Sequence, residues 1–199
     1  SLAGAKSGMT ILDMCAGLGG KTLALWSDMR GIGDIIATDI SKERLKKLKD
    51  RLKKNNIKKI DVRDDCIGLK GICDIVLLDV PCSGSGVWRR RPEEAIRITK
   101  SKFEKGLVSQ KELLNKAKKY TVTGGYIVYI TCSIFKSENE NQIKWFLKEN
   151  DNFESVDLAN DCKNLLNRQL SGINKYGVTL RTDKNKTDGF FIAKLKNKY

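Results

Sequence analysis

"MTILDMCAGLGGKTLALWSDM", residues 9–29, decides the fold. Met9–Met14 is a short apolar run containing one acid, Gly17, Gly19 and Gly20 follow closely, and "KTLALWSDM" then spaces its apolar residues as a helix does. The stretch reads as strand, glycine turn, helix. Glycines there let the backbone approach a ligand, and the helix N-terminus offers it free N–H groups. Asp39 lies 19 residues beyond Gly20, at the end of the next apolar run, "DIIATDI" (34–40). Doubly wound nucleotide-binding folds keep an acid there for ribose hydroxyls. GxGxxG is absent, so S-adenosylmethionine fits the loop better than a dinucleotide.

The same alternation continues along the chain. Ser41 can N-cap a helix whose apolar stripe is Leu45, Leu48 and Leu52. "CDIVLLDV" (73–80) is a continuous apolar run, as in strands covered on both faces of a parallel sheet. A helix over Lys100–Tyr120, a strand at "GGYIVYITCS" (124–133), a helix through "ENENQIKWFLKEN" (138–150) and a closing strand at "DGFFIAKL" (188–195) complete the pattern. An α/β doubly wound sheet follows, with ligands at the carboxyl ends of its strands. With 199 residues and no internal repeat, the chain reads as a single domain.

Lys+Arg minus Asp+Glu is 38 − 24 = +14, a field that attracts phosphate polymers or an anionic surface. No run of about 20 apolar residues could span a bilayer, and no signal-peptide core precedes the first strand. Nucleic acid is therefore the leading partner, with no membrane association, and a cytoplasmic location is expected. Histidine is absent, which excludes Ser-His-Asp and Cys-His catalysis and histidine metal sites. Cysteines 15, 66, 73, 82, 132 and 162 form no CxxC pair, so free thiols and no metal are expected.

"LDMCAGLGGKT", "ATDISKERLKKL", "VLLDVPCSGSGVWRRRPE", "GGYIVYITCSIFKSENENQIKWFL" and "TDGFFIAKL" together resemble, in order and over nearly the whole chain, the Sun (NSUN/RsmB-type) family of RNA cytosine-5 methyltransferases. The resemblance implies a Rossmann-like class I methyltransferase domain with S-adenosylmethionine as cofactor. Its mostly parallel sheet would end in an antiparallel C-terminal strand. It also implies that the Cys132 thiolate adds to carbon 6 of cytosine, and that Cys82 assists loss of the carbon 5 proton and collapse of the adduct. Asp79, the acid before "PC", would hydrogen-bond the cytosine edge or its protonated ring nitrogen, and is also counted among the cofactor-binding residues.

By the same resemblance Cys15, Ala16, Gly17, Leu18, Gly19, Gly20 and Lys21 would hold the methionine end of the cofactor, and Asp39 its ribose. Asp65 would face the adenine side, with Asp64 the alternative if the alignment slips by one. Lys21 and Arg44 are candidate site cations, either of which could instead be a solvated surface charge. Leu18 departs from the proline most common in the family, so a less stiffened loop and weaker cofactor binding are expected. Many members carry a separate RNA-binding domain before this core, and the chain is expected to be a fragment of such a protein, acting as a monomer.

Lys42–Lys59 holds ten Lys/Arg against two acids, 10 − 2 = +8 of the total charge, and reads equally as a solvated face or an RNA contact. Trp88, Arg89, Arg90 and Arg91 directly follow the Cys82 loop and suit stacking and phosphate contacts on single-stranded RNA. Ribosomal RNA is the favoured substrate and transfer RNA the alternative, the target base being unpaired or flipped. Two competing readings are a cytosine-5 DNA methyltransferase, which would use Cys82 as nucleophile and need a target-recognition domain, and a non-catalytic RNA-binding module.

Overall fold

The computed structural model describes residues 2–166 and 172–199. Five strands run parallel in the order β3 (Ile60–Val62), β2 (Asp34–Ala37), β1 (Thr10–Asp13), β4 (Cys73–Asp79) and β5 (Thr121–Thr131). β9 (Phe190–Asn197) lies antiparallel to β5, with Thr131 opposite Phe191. Its far edge is shared by β6 (Phe153–Ser155) and β8 (Gly177–Leu180), and β8 pairs with β7 (Ile173–Asn174). The doubly wound sheet and its antiparallel C-terminal strand are as expected from the sequence. The short strands β3, β6, β7 and β8 are additional, being too brief to carry a periodic signal.

The pleat explains the continuous apolar runs. Leu12, Val76, Leu78, Ile127 and Tyr129 pack on one face with Leu114 of α4 (Lys100–Ala117) and Ile143 and Phe146 of α5 (Glu140–Glu149). Ile11, Ile35, Ile75, Leu77 and Val128 turn to the other face, against Leu25 of α1 (Gly20–Asp28) and Leu45, Leu48 and Leu52 of α2 (Lys42–Lys54). Each buried leucine of that stripe contributes about 2 kcal/mol. Ser41 caps α2 as its residue type predicts, its side chain accepting the Arg44 N–H. The β2 strand ends at Ala37 rather than Ile40, because Thr38–Ile40 turn out to form the wall of a crevice.

Pro92–Arg97 forms α3, Ala159–Leu166 α6 and Thr182–Asn185 α7, and Ser85–Val87 is a single 3₁₀ turn. Among the described residues no helix is long and apolar enough to cross a membrane.

Candidate active site

The strand order reverses between β1 and β4, and the loops leaving β1, β2, β4 and β5 converge above that point. Between them opens a cleft of about 960 Å³. Its wall includes Cys15, Ala16, Gly17, Leu18, Gly20 and Lys21 from the first loop, Asp39 and Arg44 from the second, and Asp79, Cys82 and Cys132 from the third and fourth. Asp64 and Asp65 both reach it. Gly19 serves the turn from beneath. Its φ is 81°, and a Cβ there would fall 2.2 Å from Leu48 Cδ1, so only glycine lets α2 pack under the loop.

Asp39 organises the half of the cleft built from the first two loops. One carboxylate oxygen accepts the Gly17 N–H at 2.9 Å, the other accepts the Ser41 N–H at 2.8 Å, and Arg44 stands 3.5 Å away. Leu18, where the family favours proline, is steadied differently: its carbonyl accepts Arg51 Nη1 at 3.2 Å. Asp65 caps its own turn through the Ile67 N–H, and Asp64 lies 3.5 Å from Lys42. The cleft wall carries Asp39, Asp64, Asp65, Asp79 and Glu112 against Lys21, Arg44 and Lys116. An acid-rich cleft in a protein of net charge +14 disfavours phosphate and suits a cationic ligand bearing hydroxyl and amine donors, as S-adenosylmethionine does.

Beneath the loop lies Asp13, which the motif reading left without a role. It is fully buried at the end of β1, accepting the Thr22 hydroxyl at 2.7 Å and the Cys15 N–H at 3.3 Å. Burial raises its pKa from 3.8 to about 6 despite those donors. Burial, reinforced by Asp13, Asp39 and Asp79, likewise pushes the Cys15 thiol up to about 12, so its sulfur is inert.

The two motif cysteines meet at the other half of the cleft. Cys82 Sγ lies 3.3 Å from Cys132 Sγ, and both are free thiols. The hydrogen bond between them dominates their titration: it raises Cys82, which burial raises further, and it lowers Cys132. Burial and the Asp79 carboxylate work against that lowering of Cys132, and Lys21, whose ammonium pairs with Asp79 at 2.5 Å, adds to it. The two thiols are thus inequivalent, Cys132 being the more readily ionised and Cys82 the less.

A nucleotide-type cleft that ends on a "PC" cysteine and a "TCS" cysteine in contact is a specific combination, and comparison with known proteins agrees with it. The family described as "16S rRNA methyltransferase RsmB/F" matches residues 2–196. The chain belongs to that family. It is 33% identical over 94% of its length to a probable ribosomal RNA small subunit methyltransferase B of Synechocystis, covering 43% of that protein. It is 32% identical over 96% of its length to a tRNA (cytosine(72)-C(5))-methyltransferase of Pyrococcus horikoshii, covering 48% of it. The chain therefore spans less than half the length of these relatives. Among solved structures, NSun6 from Pyrococcus horikoshii with SFG superposes with a TM-score of 0.80 at 28% identity, covering all of this chain and 50% of that one.

In this RsmB/F-family chain the cysteine loops are sewn together by residues that the motif reading passed over. Gly86 N–H donates to the Cys132 carbonyl at 2.9 Å, and the Ser85 and Ser133 hydroxyls share a hydrogen bond of 2.9 Å. Asn139 grips the second loop from both sides, accepting the Thr131 hydroxyl and donating to the Ser133 carbonyl. Glu138, 1% exposed, accepts the Ser83 N–H and Oγ–H and one N–H of Gln110, whose side chain also donates to the Pro81 carbonyl. Gln110 sits in a polar stretch that reads as surface, and Glu138, although inside the "TCS" motif stretch, shows nothing locally that predicts its burial. Their burial is set by partners 55 and 28 residues away.

The basic segment after Cys82 is only partly free. Trp88 is half-buried, its indole N–H donating to the Ser83 carbonyl at 3.2 Å and its ring edge-on to Phe135 at 5.7 Å. In this geometry Trp88 braces the loop rather than offering an open stacking face. Arg89 and Arg90 both reach Asp188, yet their side chains remain 65% and 60% exposed, and Arg91 is exposed beside them.

Proposed function

We propose that this chain carries the catalytic core of an S-adenosylmethionine-dependent RNA cytosine-5 methyltransferase acting in the cytoplasm on ribosomal RNA. The observation that carries the reading is the contact between Cys82 and Cys132 beside the Lys21–Asp79 pair, at the end of an acid-rich nucleotide cleft. Bound there, the cofactor supplies a methyl group on a sulfonium.

Carbon 5 of cytosine is a poor nucleophile until a thiolate adds to carbon 6. The lowered Cys132 thiol forms that S–C6 bond, and the electron pair of the C5–C6 double bond moves to carbon 5. With the cofactor held by Gly17, Asp39 and Arg44, its sulfonium methyl would be the group that carbon 5 takes up, the bonding pair of the methyl–sulfur bond staying with sulfur. Asp79, poised by Lys21, hydrogen-bonds the pyrimidine edge during addition. Once Cys132 is bonded to carbon, the thiolate that held the Cys82 proton is gone. Cys82 can then release that proton to solvent and accept the one leaving carbon 5. Its pair restores the double bond as the C6–S bond breaks, and Cys132 leaves as the thiolate it began as.

Two sides of the cleft supply binding. Gly17, Asp39 and Arg44 form the ribose and methionine end, and Asp64 and Asp65 the adenine end. Exposed Arg89, Arg90 and Arg91 lie beside the cysteine loops, where RNA phosphates would enter. Ribosomal RNA is favoured because the family description that matches the chain is of a 16S rRNA methyltransferase. The tRNA methyltransferase relative makes transfer RNA the second reading.

The test is methyl transfer from labelled cofactor to small-subunit ribosomal RNA and to transfer RNA, with the product identified as 5-methylcytidine by mass spectrometry. Label in ribosomal RNA supports the reading, and label confined to transfer RNA moves the substrate to the second. Measured cofactor binding with no 5-methylcytidine in either would make the chain a binding module.

A further inference from the structure

Glu138 is a carboxylate with no solvent and, among the described residues, no lysine or arginine to pair with. It is 1% exposed, and its side-chain partners are neutral: the Ser83 N–H at 2.8 Å, the Ser83 hydroxyl at 2.5 Å and Gln110 Nε2 at 3.3 Å. Its own carbonyl is held by the buried Tyr129 hydroxyl at 2.7 Å. Burying an acid on neutral donors costs several kcal/mol that an apolar side chain of the same volume would not. Packing alone therefore does not account for it.

Its placement does. Ser83 is the residue after Cys82, and Gln110 donates to the carbonyl of Pro81, the residue before it. Glu138, from the loop that also carries Cys132, and Gln110, from α4, thus clamp the cysteine's backbone from both sides. We propose that Glu138 is a positioning residue of the reaction: through Ser83, and with Gln110, it fixes the Cys82 thiol against Cys132 and sets a buried carboxylate beside the Cys82 loop. The proposal rests on the roles given to the two cysteines above.

Electrostatics gives the second half of the role. Among the described residues, Cys132 and Glu138 from the β5–α5 loop and Tyr129 from β5 face Cys82, and Asp79 from β4 and Lys21 from α1 face Cys132. Glu138 opposes a second negative charge on Cys82, whereas Lys21 favours charge on Cys132 only against the larger opposing effect of Asp79. The charge bias therefore rests on Glu138 and on the contact between the two thiols. A neutral residue at 138 would keep the clamp and lose the bias.

Charge and position can be read separately, and without RNA or cofactor. Each cysteine's alkylation by iodoacetamide is followed across pH by mass spectrometry in wild-type, Glu138→Gln, Glu138→Ala and Ser83→Ala proteins, with thermal unfolding as the check on folding. Closure of the Cys82–Cys132 pair by diamide reports their proximity, the two thiols being oxidised to a disulfide as the azo bond is reduced to a hydrazine. In the wild type Cys132 reacts at lower pH than Cys82. Glu138→Gln should keep rapid closure but speed Cys82 alkylation about tenfold at about pH 8. Glu138→Ala should slow closure about tenfold, and Ser83→Ala should do so in part.

If Glu138→Ala fails to fold, Glu138→Gln and Ser83→Ala decide the matter alone. Folded variants with wild-type alkylation profiles and closure rates overturn the proposal and leave the methyltransferase reading standing. Conversely, absence of methyl transfer in the wild type overturns that reading and leaves these thiol measurements as they are.

Discussion

Cys82 Sγ lies 3.3 Å from Cys132 Sγ across 50 residues of sequence, the carboxyl ends of two adjacent parallel strands having delivered them to one point. Their roles are separable by trapping. Incubated with cofactor and substrate RNA, Cys82→Ala should accumulate a denaturation-resistant protein–RNA band, and Cys132→Ala should show none. The reverse pattern would falsify the assignment of nucleophile and release residue, and would place the attack on Cys82 as in the DNA-enzyme reading.

Asp13 should make stability depend on pH. Its pKa rises from 3.8 to about 6 on folding, so the protonated form is favoured in the native state. Its contribution is therefore fully present below about pH 4 and is lost as pH rises through about 6, a change of about 3 kcal/mol. Asp13→Asn should flatten the unfolding-temperature profile over that window and leave the protein at least as stable at neutral pH. An unchanged slope in the variant would mean that another group sets it.

Arg51 and Leu18 offer a test of the cofactor loop. Arg51 Nη1 reaches the Leu18 carbonyl at 3.2 Å from an exposed position, so the brace is modest. Arg51→Ala should weaken cofactor binding about threefold by calorimetry, and adding Leu18→Pro should restore it by cutting the loop's freedom. Equal affinities in all three proteins would show that the loop needs no brace.

Arg89 and Arg90 share Asp188 and keep most of their surface in solvent. Replacing both by alanine should weaken RNA binding and lower the slope of log affinity against log salt by about 1.4, two phosphate contacts at about 0.7 each on a single strand. Cofactor affinity should not change. A slope equal to that of the wild type would remove these arginines from the RNA path.

Local pattern was enough for much of this protein. A glycine turn between an apolar run and a helical run, an acid 19 residues on, and cysteines directly after two apolar strands are all short-range signals. Topology then does the rest, because parallel strands send every such loop to one edge. That is why Gly17, Asp39, Asp79, Cys82 and Cys132 were all legible and all line one cleft. Trp88 was legible as an aromatic beside arginines, but only packing shows its indole committed to Ser83 and Phe135.

What the tertiary structure alone decided is which polar residues are buried and what they hold. Glu138 and Asp188 stand inside the motif stretches "GGYIVYITCSIFKSENENQIKWFL" and "TDGFFIAKL", but nothing in those stretches says what either holds. Their environments come from residues 55 and about 100 positions away in the chain, Ser83 and the arginines after it. Sequence by itself determined the alternation of elements, the sheet edge where the chemistry sits and the residue types able to perform it. Folding decided that two like thiols meet and that they ionise unequally, because that depends on burial, on Lys21 and on the carboxylates of Asp79 and Glu138, groups that become neighbours only in three dimensions.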